Sequence, residues 1–290
     1  MQGPYLRTKK VLIGLTYICL ALIGLDGCRG CHRERISPNP SEESSRLGGI
    51  PNLGNSCYMN SVLQIIAKLY PNIFEGKDSD FNRAGQVIVN KVKSDQDYVT
   101  VGEAWVVYTA LLDVAKGKFK KGRQESSDEC MDTIWQHLGL PNVDNTLGTP
   151  YITLALQSSD KNETVPMSHL IANYTSGEDI DPANFLNNIV PIKLARNDNA
   201  QKVETAVIKT LQLTITNKHI PSLLQEMFCR LVGFIVHNGD SAHAGHYTAC
   251  IQQAGQWKLY NDEKVTYIIQ EEAERYARQG YLYFYRRTSS

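Results

Sequence analysis

Residues 48–69 have the sequence GGIPNLGNSCYMNSVLQIIAKL, in which a glycine-rich turn leads directly into an apolar stretch. The pattern predicts a helix from about Cys57 to Leu69, with the cysteine in its first turn. A helix N-terminus carries unpaired N–H groups and a partial positive charge, and both favour a thiolate. Cys57 is therefore the candidate nucleophile, and we expect its pKa to be lowered.

A second stretch, residues 231–262, supplies the groups that a thiol nucleophile needs. An apolar strand-like run ends at His237, a polar loop follows, and His246 opens the next strand. The strand after that one ends in Asn261 and Asp262. An amide or carboxylate at the end of a neighbouring strand can orient an imidazole toward a thiol. The chain order Cys, His, Asn is that of papain-like proteases.

Helical periodicity is concentrated in the first part of the domain and strand-like runs in the second. Further helices are predicted at about residues 103–115 and 127–138, and strands at 210–215, 230–237, 247–252, 257–260 and 281–286. Helices followed by strands predict an α+β fold with its sheet in the C-terminal half. Residues 151–191 have mixed periodicity and support no assignment.

The composition is that of an ordinary globular protein. Of the 290 residues, 42% are hydrophobic and 21% are charged, and 30 basic side chains balance 30 acidic ones. A chain without net charge has no overall field that would recruit nucleic acid or an anionic membrane, so no nucleic-acid partner is expected. The seven cysteines are odd in number and scattered after Cys57. This argues against a disulfide framework and for a reducing compartment.

Four stretches resemble the sequence blocks of the ubiquitin-specific protease family. Residues 48–64 are similar to its cysteine box, and residues 245–265, GHYTACIQQAGQWKLYNDEKV, to its histidine box. Residues 124–129, QESSDE, resemble its QxDxxE segment, and residues 280–286, GYLYFYR, its terminal strand. The blocks occur in the family order and leave only residues 143–209 without a clear match.

The resemblance implies a papain-like α+β fold with a helical thumb, a β-rich palm and shortened fingers. It also implies a deubiquitinase that cleaves after the C-terminal glycine of its partner, ubiquitin. Cys57 matches the nucleophile and His246 the general base and acid. Asn261 matches the residue that orients the imidazole, Asp262 its neighbouring acid, and Asn52 the donor to the oxyanion. Three alternatives stay open: a protease for another ubiquitin-like modifier, a ubiquitin-binding protein without activity, and a Cys-His-Asn acyltransferase.

The resemblance further implies residues that hold the ubiquitin tail. Gly245 and Tyr247 match positions that line the tunnel for its Gly-Gly end. Gln124 and Glu129 lie in the block whose acids pair with arginines near the ubiquitin C-terminus. The usual Asp of this block is Ser126 here, which leaves Glu129 as the matched acid. Ser126-x-x-Glu129 is also a helix capping box, so backbone capping is the competing interpretation of Glu129.

Many members of the family carry two Cys-x-x-Cys pairs for a zinc ribbon in the fingers. This chain has no such pair after Cys57. We therefore expect no bound metal and no other cofactor, with the fingers shortened into residues 143–209.

The N-terminal 47 residues form two further segments. In residues 1–35, three basic side chains precede an uncharged run, VLIGLTYICLALIGL at 11–25, which is the pattern of an export signal, a lipid anchor or a membrane-anchoring helix. Residues 36–47, ISPNPSEESSRL, are a linker, so the catalytic domain is expected at 48–287. Ubiquitin is cytosolic and nuclear. A deubiquitinase with such an N-terminal segment could reach ubiquitin in two ways. It could be an effector that a bacterium secretes toward a host cell, or a membrane-anchored enzyme whose catalytic domain faces the cytosol.

Overall fold

The computed structural model of the chain describes residues 48–94, 97–156, 164–174, 180–198, 201–202, 205–208, 210–241 and 244–288. The N-terminal signal or anchor and the linker, predicted at 1–47, lie outside these residues. Within the described ranges, no helix combines the length and the apolar character that a membrane span requires.

The helices of the thumb come first in the chain, as predicted. The described α-helices are α1 (Cys57–Leu69), α2 (Asp80–Ser94), α3 (Val101–Val114), α4 (Ser127–His137), α5 (Met167–Ala172) and α6 (Gln270–Ala277). The helices predicted at 57–69, 103–115 and 127–138 are confirmed as α1, α3 and α4. Helix α2 is not among the predicted helices, although its buried residues recur at helical spacing. Gly85 in the middle of α2 disfavours a helix, but the ring of Phe74 fills the space where a Cβ would stand.

The strands build one large sheet in the C-terminal part of the chain. They are β1 (Ile152–Ala155), β2 (Val165–Pro166), β3 (Ile189–Ala195), β4 (Asn197–Asp198), β5 (Gln201–Lys202), β6 (Val207–Ile208), β7 (Gln212–Ile215), β8 (Met227–Ser241), β9 (Ala244–Gln253), β10 (Gln256–Asn261), β11 (Lys264–Ile268) and β12 (Gly280–Arg287). The large sheet has the order β1-β3-β12-β8-β9-β10-β11, and β7 also pairs with β8.

The five predicted strands are confirmed as β7, β8, β9, β10 and β12. The unassigned stretch 151–191 contributes β1 and the start of β3, which pair in parallel at one edge of the sheet. The predicted α+β class is therefore confirmed, with a larger sheet than the sequence analysis predicts.

The sheet is buried on both faces, and a register shift between β8 and β12 interrupts the regular alternation of side chains after Leu231. In β8, Val232 and Ile235 join the core beneath the helices, whereas Leu231 and Phe234 join a second core on the far side. Helix α1 lies between α2, α4 and strands β8 to β10, and all thirteen of its residues are buried. The first residue of α1 therefore lies at the junction of helices and sheet.

Candidate active site

Cys57 is the first residue of α1, and a tight turn delivers the chain to it. Gly54 and Asn55 have left-handed φ angles of 84° and 61°, and the hydroxyl of Ser56 accepts a hydrogen bond from the N–H of Leu53 at 2.9 Å. The Cys57 side chain is only 2% exposed. The cysteine is thus held at the end of a buried helix and not on a surface loop.

His246 lies in β9, and Asn261 lies at the end of the neighbouring β10. Antiparallel pairing of the two strands, with Ala249 opposite Tyr260, brings their side chains together. His246 Nε2 lies 2.7 Å from Asn261 Oδ1. An amide oxygen only accepts hydrogen bonds, so Nε2 carries the hydrogen and the lone pair of the neutral ring is on Nδ1. The arrangement leaves Nδ1 as the basic atom of the imidazole.

Asp262 connects the segment before Cys57 to the strands that carry His246 and Asn261. Its carboxylate accepts hydrogen bonds from Asn52 Nδ2 at 2.8 Å and from Asn60 Nδ2 at 2.7 Å. Its backbone carbonyl accepts from Gln64 Nε2 and from the N–H of Ile50, both at 2.9 Å. Residues on both sides of Cys57 in the chain therefore donate four hydrogen bonds to one residue, Asp262.

The backbone of Asp262 is left-handed, with φ of 51°. Burial raises the pKa of its carboxyl, while the amides of Asn60 and Asn52 oppose that shift. Its Oδ2 lies 3.8 Å from His246 Nε2. This is longer than the contact from Asn261, so Asn261 is the direct partner of the imidazole and Asp262 lies behind it.

Asn52 has an exposed side chain that is fixed at both ends. Its Nδ2 donates to Asp262, and its Oδ1 accepts from the backbone N–H of Gly54 at 2.9 Å and of Ser56 at 3.3 Å. An amide nitrogen carries two hydrogens, and Asp262 takes one of them. The other can donate to a substrate oxygen, which is what an oxyanion donor must do.

The thiol of Cys57 has a different acidity from the one expected. Burial raises its pKa to about 11, although backbone N–H groups, above all that of Tyr247, oppose the shift; the charge of Asp262 adds to it. The expectation of a lowered pKa is wrong, because lost hydration at a buried sulfur outweighs the helix N-terminus. At neutral pH the thiol keeps its proton and needs a base. The contact with Tyr247 places the sulfur beside the residue that follows His246.

Gly245 and Tyr247 flank the histidine and pack against a second imidazole, that of His237. Gly245 has φ of 157°, and a Cβ there would lie 2.5 Å from His237 Nε2. The ring of Tyr247 is buried and stacks on His237, with 4.3 Å between ring centroids. The structure therefore places the Tyr247 ring in the core and its backbone beside Cys57. A role for either residue in lining a substrate tunnel stays a prediction.

The block from Gln124 to Glu129 lies at the N-terminus of α4. Ser126 occupies the N-cap position, but its hydroxyl makes no capping hydrogen bond and instead contacts Asp128 and Tyr281. The serine half of the predicted capping box is therefore absent. Glu129 is exposed on the first turn, where a partner can reach it. Gln124 Nε2 is buried and has no hydrogen-bond partner within the described residues.

Asp128 is a buried acid that the sequence analysis does not single out. Its carboxylate pairs with the ammonium of Lys193 on β3. Burial pushes the pKa of Asp128 upward, but the charge and hydrogen bond of Lys193, together with Ser126, leave it lowered. The pair joins α4 to the sheet. It makes Asp128 a structural acid, in contrast to the exposed Glu129.

Two further polar residues, Asn60 and Gln64, belong to the site although the sequence analysis does not name them. They lie on α1 three and seven residues after Cys57 and are fully buried. Polar side chains at this spacing in an apolar helix were the signal that could have identified them. Among the residues that the structure describes, no group of three or more His, Cys, Asp or Glu side chains could hold a metal.

Known proteins share sequence and fold with this chain. Residues 48–285 match the ubiquitin carboxyl-terminal hydrolase family. Ubiquitin carboxyl-terminal hydrolase 13 of Danio rerio is 46% identical over 61 residues, which are 21% of this chain and 6% of that protein. Ubiquitin carboxyl-terminal hydrolase 14 of Saccharomyces cerevisiae is 43% identical over 61 residues, or 20% of this chain and 8% of that protein. The aligned stretch is thus a small part of the length of these relatives.

Solved structures share the fold over most of the domain. The SAGA Ubp8/Sgf11/Sus1/Sgf73 DUB module bound to ubiquitin aldehyde aligns with a TM-score of 0.61 at 17% identity, covering 84% of this chain and 70% of that one. The same module bound to monoubiquitin aligns with a TM-score of 0.62 at 18% identity. The fold is therefore the papain-like α+β fold of ubiquitin-specific proteases. With the family match over residues 48–285, the chain belongs to the ubiquitin carboxyl-terminal hydrolase family.

Proposed function

We propose that this chain is a thiol-dependent deubiquitinase that hydrolyses the bond after the C-terminal glycine of ubiquitin in isopeptide-linked conjugates. The observation that carries the proposal is the network around Asp262. It joins the segment that leads to Cys57 with the strand pair that carries His246 and Asn261. Membership of the family supports ubiquitin as the substrate.

Acylation begins at the buried thiol. The sulfur of Cys57 attacks the carbonyl carbon of the terminal glycine, and its proton passes to Nδ1 of His246. Because the thiol pKa is about 11, this transfer belongs to the reaction itself and does not precede it as a stable ion pair. Asn261 holds the ring by the Nε2–H hydrogen bond while the charge develops.

The tetrahedral intermediate places negative charge on the former carbonyl oxygen. The second N–H of Asn52 donates to that oxygen, and a donor of this kind is worth about 10²–10³ in kcat. His246 then gives its proton to the leaving lysine amine, which leaves a thioester on Cys57. Water, activated by the same imidazole, hydrolyses the thioester and releases free ubiquitin and the thiol.

A ubiquitin-like modifier with the same Gly-Gly end would meet the same chemistry, so substrate identity needs a direct test. The full-length protein is treated with ubiquitin that carries a C-terminal alkyne electrophile, and the modified residue is mapped by mass spectrometry. We expect one adduct on Cys57, none in Cys57→Ala, and an unchanged yield in Cys229→Ala, a control at a buried thiol elsewhere in the chain. Faster labelling by another modifier would identify that modifier as the substrate, and no adduct with any probe would favour the inactive binding protein.

The N-terminal segment bears on where the enzyme acts. Its basic and apolar run supports either export or anchorage at a membrane. Fractionation of cells that express the full chain, beside a chain that starts at Ser37, separates these proposals. An anchor retains only the full chain in membranes, whereas a cleaved export signal releases a shortened protein.

A further inference from the structure

Helix α3 is apolar on both sides. Its inward face is buried in the core through Ala104, Val107, Tyr108 and Leu111. Its outward face exposes Val101 (64%), Trp105 (38%) and Val106 (57%), and Tyr98, three residues before the helix, is also exposed (57%). We call these four residues the α3 surface. Large apolar side chains that are exposed on one part of a protein surface indicate an interaction site or a contact with a membrane.

A strongly basic segment adjoins the α3 surface. Residues 116–123, KGKFKKGR, form the basic loop, whose five cationic side chains are all exposed. The ammonium of Lys121 lies 4.7 Å from the ring centroid of Trp105. The N–H of Gly122 donates to the hydroxyl of Tyr108 at 2.9 Å, which holds the loop against α3. The chain has no net charge, but here a run with five exposed cationic side chains begins two residues after α3, and one of them, Lys121, lies over Trp105.

The chain also enters the domain beside this surface. The N–H of Gly48 donates to the carbonyl of Asp97 at 2.9 Å, one residue before Tyr98. The 47 residues that precede Gly48 include the uncharged run 11–25. Basic residues flank that run on both sides, namely Arg7, Lys9, Lys10, Arg29, Arg33 and Arg35. The N-terminal segment is therefore joined to the domain at a residue that contacts Asp97, next to the α3 surface.

We propose that the α3 surface and the basic loop bind an anionic lipid bilayer. Tryptophan and tyrosine favour the boundary between headgroups and acyl chains, and adjacent lysines add attraction to anionic headgroups. The charge of the basic loop favours an anionic bilayer over residues 11–25 of the same chain as the binding partner of the α3 surface. The flanks of that run are cationic like the basic loop, so docking of the run on α3 would bring like charges together. An anionic bilayer attracts both.

Lipid binding at this place would orient the candidate active site. The side chain of Asn55 donates to the carbonyl of Gly122 at 2.9 Å, so the basic loop contacts the turn that leads to Cys57. A bilayer bound at the basic loop would hold Cys57 at a defined distance and orientation relative to the membrane surface.

The position of Trp105 allows a direct test on the full chain. It is exposed, whereas Trp135 and Trp257 are buried, so quenching by a lipid-borne quencher reports on the α3 surface. The protein is mixed with vesicles of phosphatidylserine and brominated phosphatidylcholine, and tryptophan fluorescence is recorded. We expect quenching that is lost in Trp105→Phe and largely lost in Lys120→Glu/Lys121→Glu. It should be unchanged in Leu224→Ser, a control at an exposed apolar residue between β7 and β8.

Three results would overturn the proposal. The first is sedimentation with the vesicles without quenching of Trp105, since the N-terminal run would then bind lipid alone. The second is protection of Trp105 from aqueous iodide before any lipid is added, since the chain's own segment would then cover the surface. The third is equal quenching by vesicles that contain only brominated phosphatidylcholine, since anionic lipid would then play no part.

Discussion

The side-chain amide of Asn52 donates to the carboxylate of Asp262, with 2.8 Å between Nδ2 and Oδ2, although the two residues are 210 positions apart in the chain. The same carboxylate holds Asn60 on α1. Asn52 and helix α1, which begins at Cys57, are thus both held by one residue. That residue directly follows Asn261, the hydrogen-bond partner of His246. The contact makes the geometry of the two halves of the site interdependent.

Replacement of Asp262 by Asn should therefore impair the oxyanion donor. An Asn side chain has one oxygen for the two amide donors, Asn52 and Asn60, that the carboxylate now satisfies. We expect kcat to fall by about 10²-fold, as for Asn52→Ala, and the double variant to be little worse than either single variant. The measurement is kcat on a fluorogenic ubiquitin C-terminal amide. Additive losses would show that Asp262 does not act through Asn52.

Asn261 should matter for turnover and not for ubiquitin binding. Asn261→Ala removes the acceptor of the Nε2–H, and Asp262 Oδ2 at 3.8 Å can replace it only in part. We expect kcat to fall and KM to stay nearly constant. The loss in kcat should be smaller than the ~10²–10⁴-fold that general acid–base catalysis contributes in total. Asn261→Asp keeps an acceptor oxygen and should retain more activity. A change confined to KM would contradict this role.

The pKa of Cys57 predicts slow alkylation in the absence of substrate. Only the thiolate reacts, and with a pKa near 11 its population at pH 7 is about 10⁻⁴ of the thiol. The rate of iodoacetamide labelling at Cys57 should rise about tenfold per pH unit from pH 7 to pH 9.5. Peptide mapping separates this site from the other buried cysteines. A plateau below pH 9 would indicate an unperturbed or lowered pKa.

The neighbouring acids Asp128 and Glu129 should behave differently when neutralised. Asp128→Asn leaves the charge of Lys193 without its carboxylate, and breaking a buried pair costs up to about 3–5 kcal/mol, less here because Lys193 is partly exposed. Glu129→Gln should leave the melting temperature unchanged and raise KM for ubiquitin several-fold. Thermal unfolding and steady-state kinetics on both variants distinguish these roles. An unchanged KM in Glu129→Gln would show that other residues hold the ubiquitin tail.

The stabilisation by Asp128 should also depend on pH. Its pKa is lowered in the folded protein, so the stabilisation is present above the unfolded pKa of about 3.9 and is lost as the pH falls through the folded value. The difference in unfolding free energy between wild type and Asp128→Asn should therefore shrink below about pH 4. A difference that stays constant there would contradict the charge-pair explanation.

Much of this protein follows from local sequence. The apolar run after Cys57 and the alternating residues around His246 specify α1 and the strands of the palm, because periodicity of burial is a local property. The order of the helices and strands then gives the α+β class. Chain order also identifies the His246 and Asn261 pair, since consecutive antiparallel strands place their ends side by side.

The tertiary structure decided what depends on distant neighbours. Whether the thiol of Cys57 is acidic depends on the hydration it loses, and that loss comes from packing between α1 and the sheet. The position of Asp262 behind Asn52 and the pairing of Asp128 with Lys193 depend on contacts between residues far apart in the chain. No local pattern encodes such contacts, because electrostatics and burial are set by everything that packs around a group.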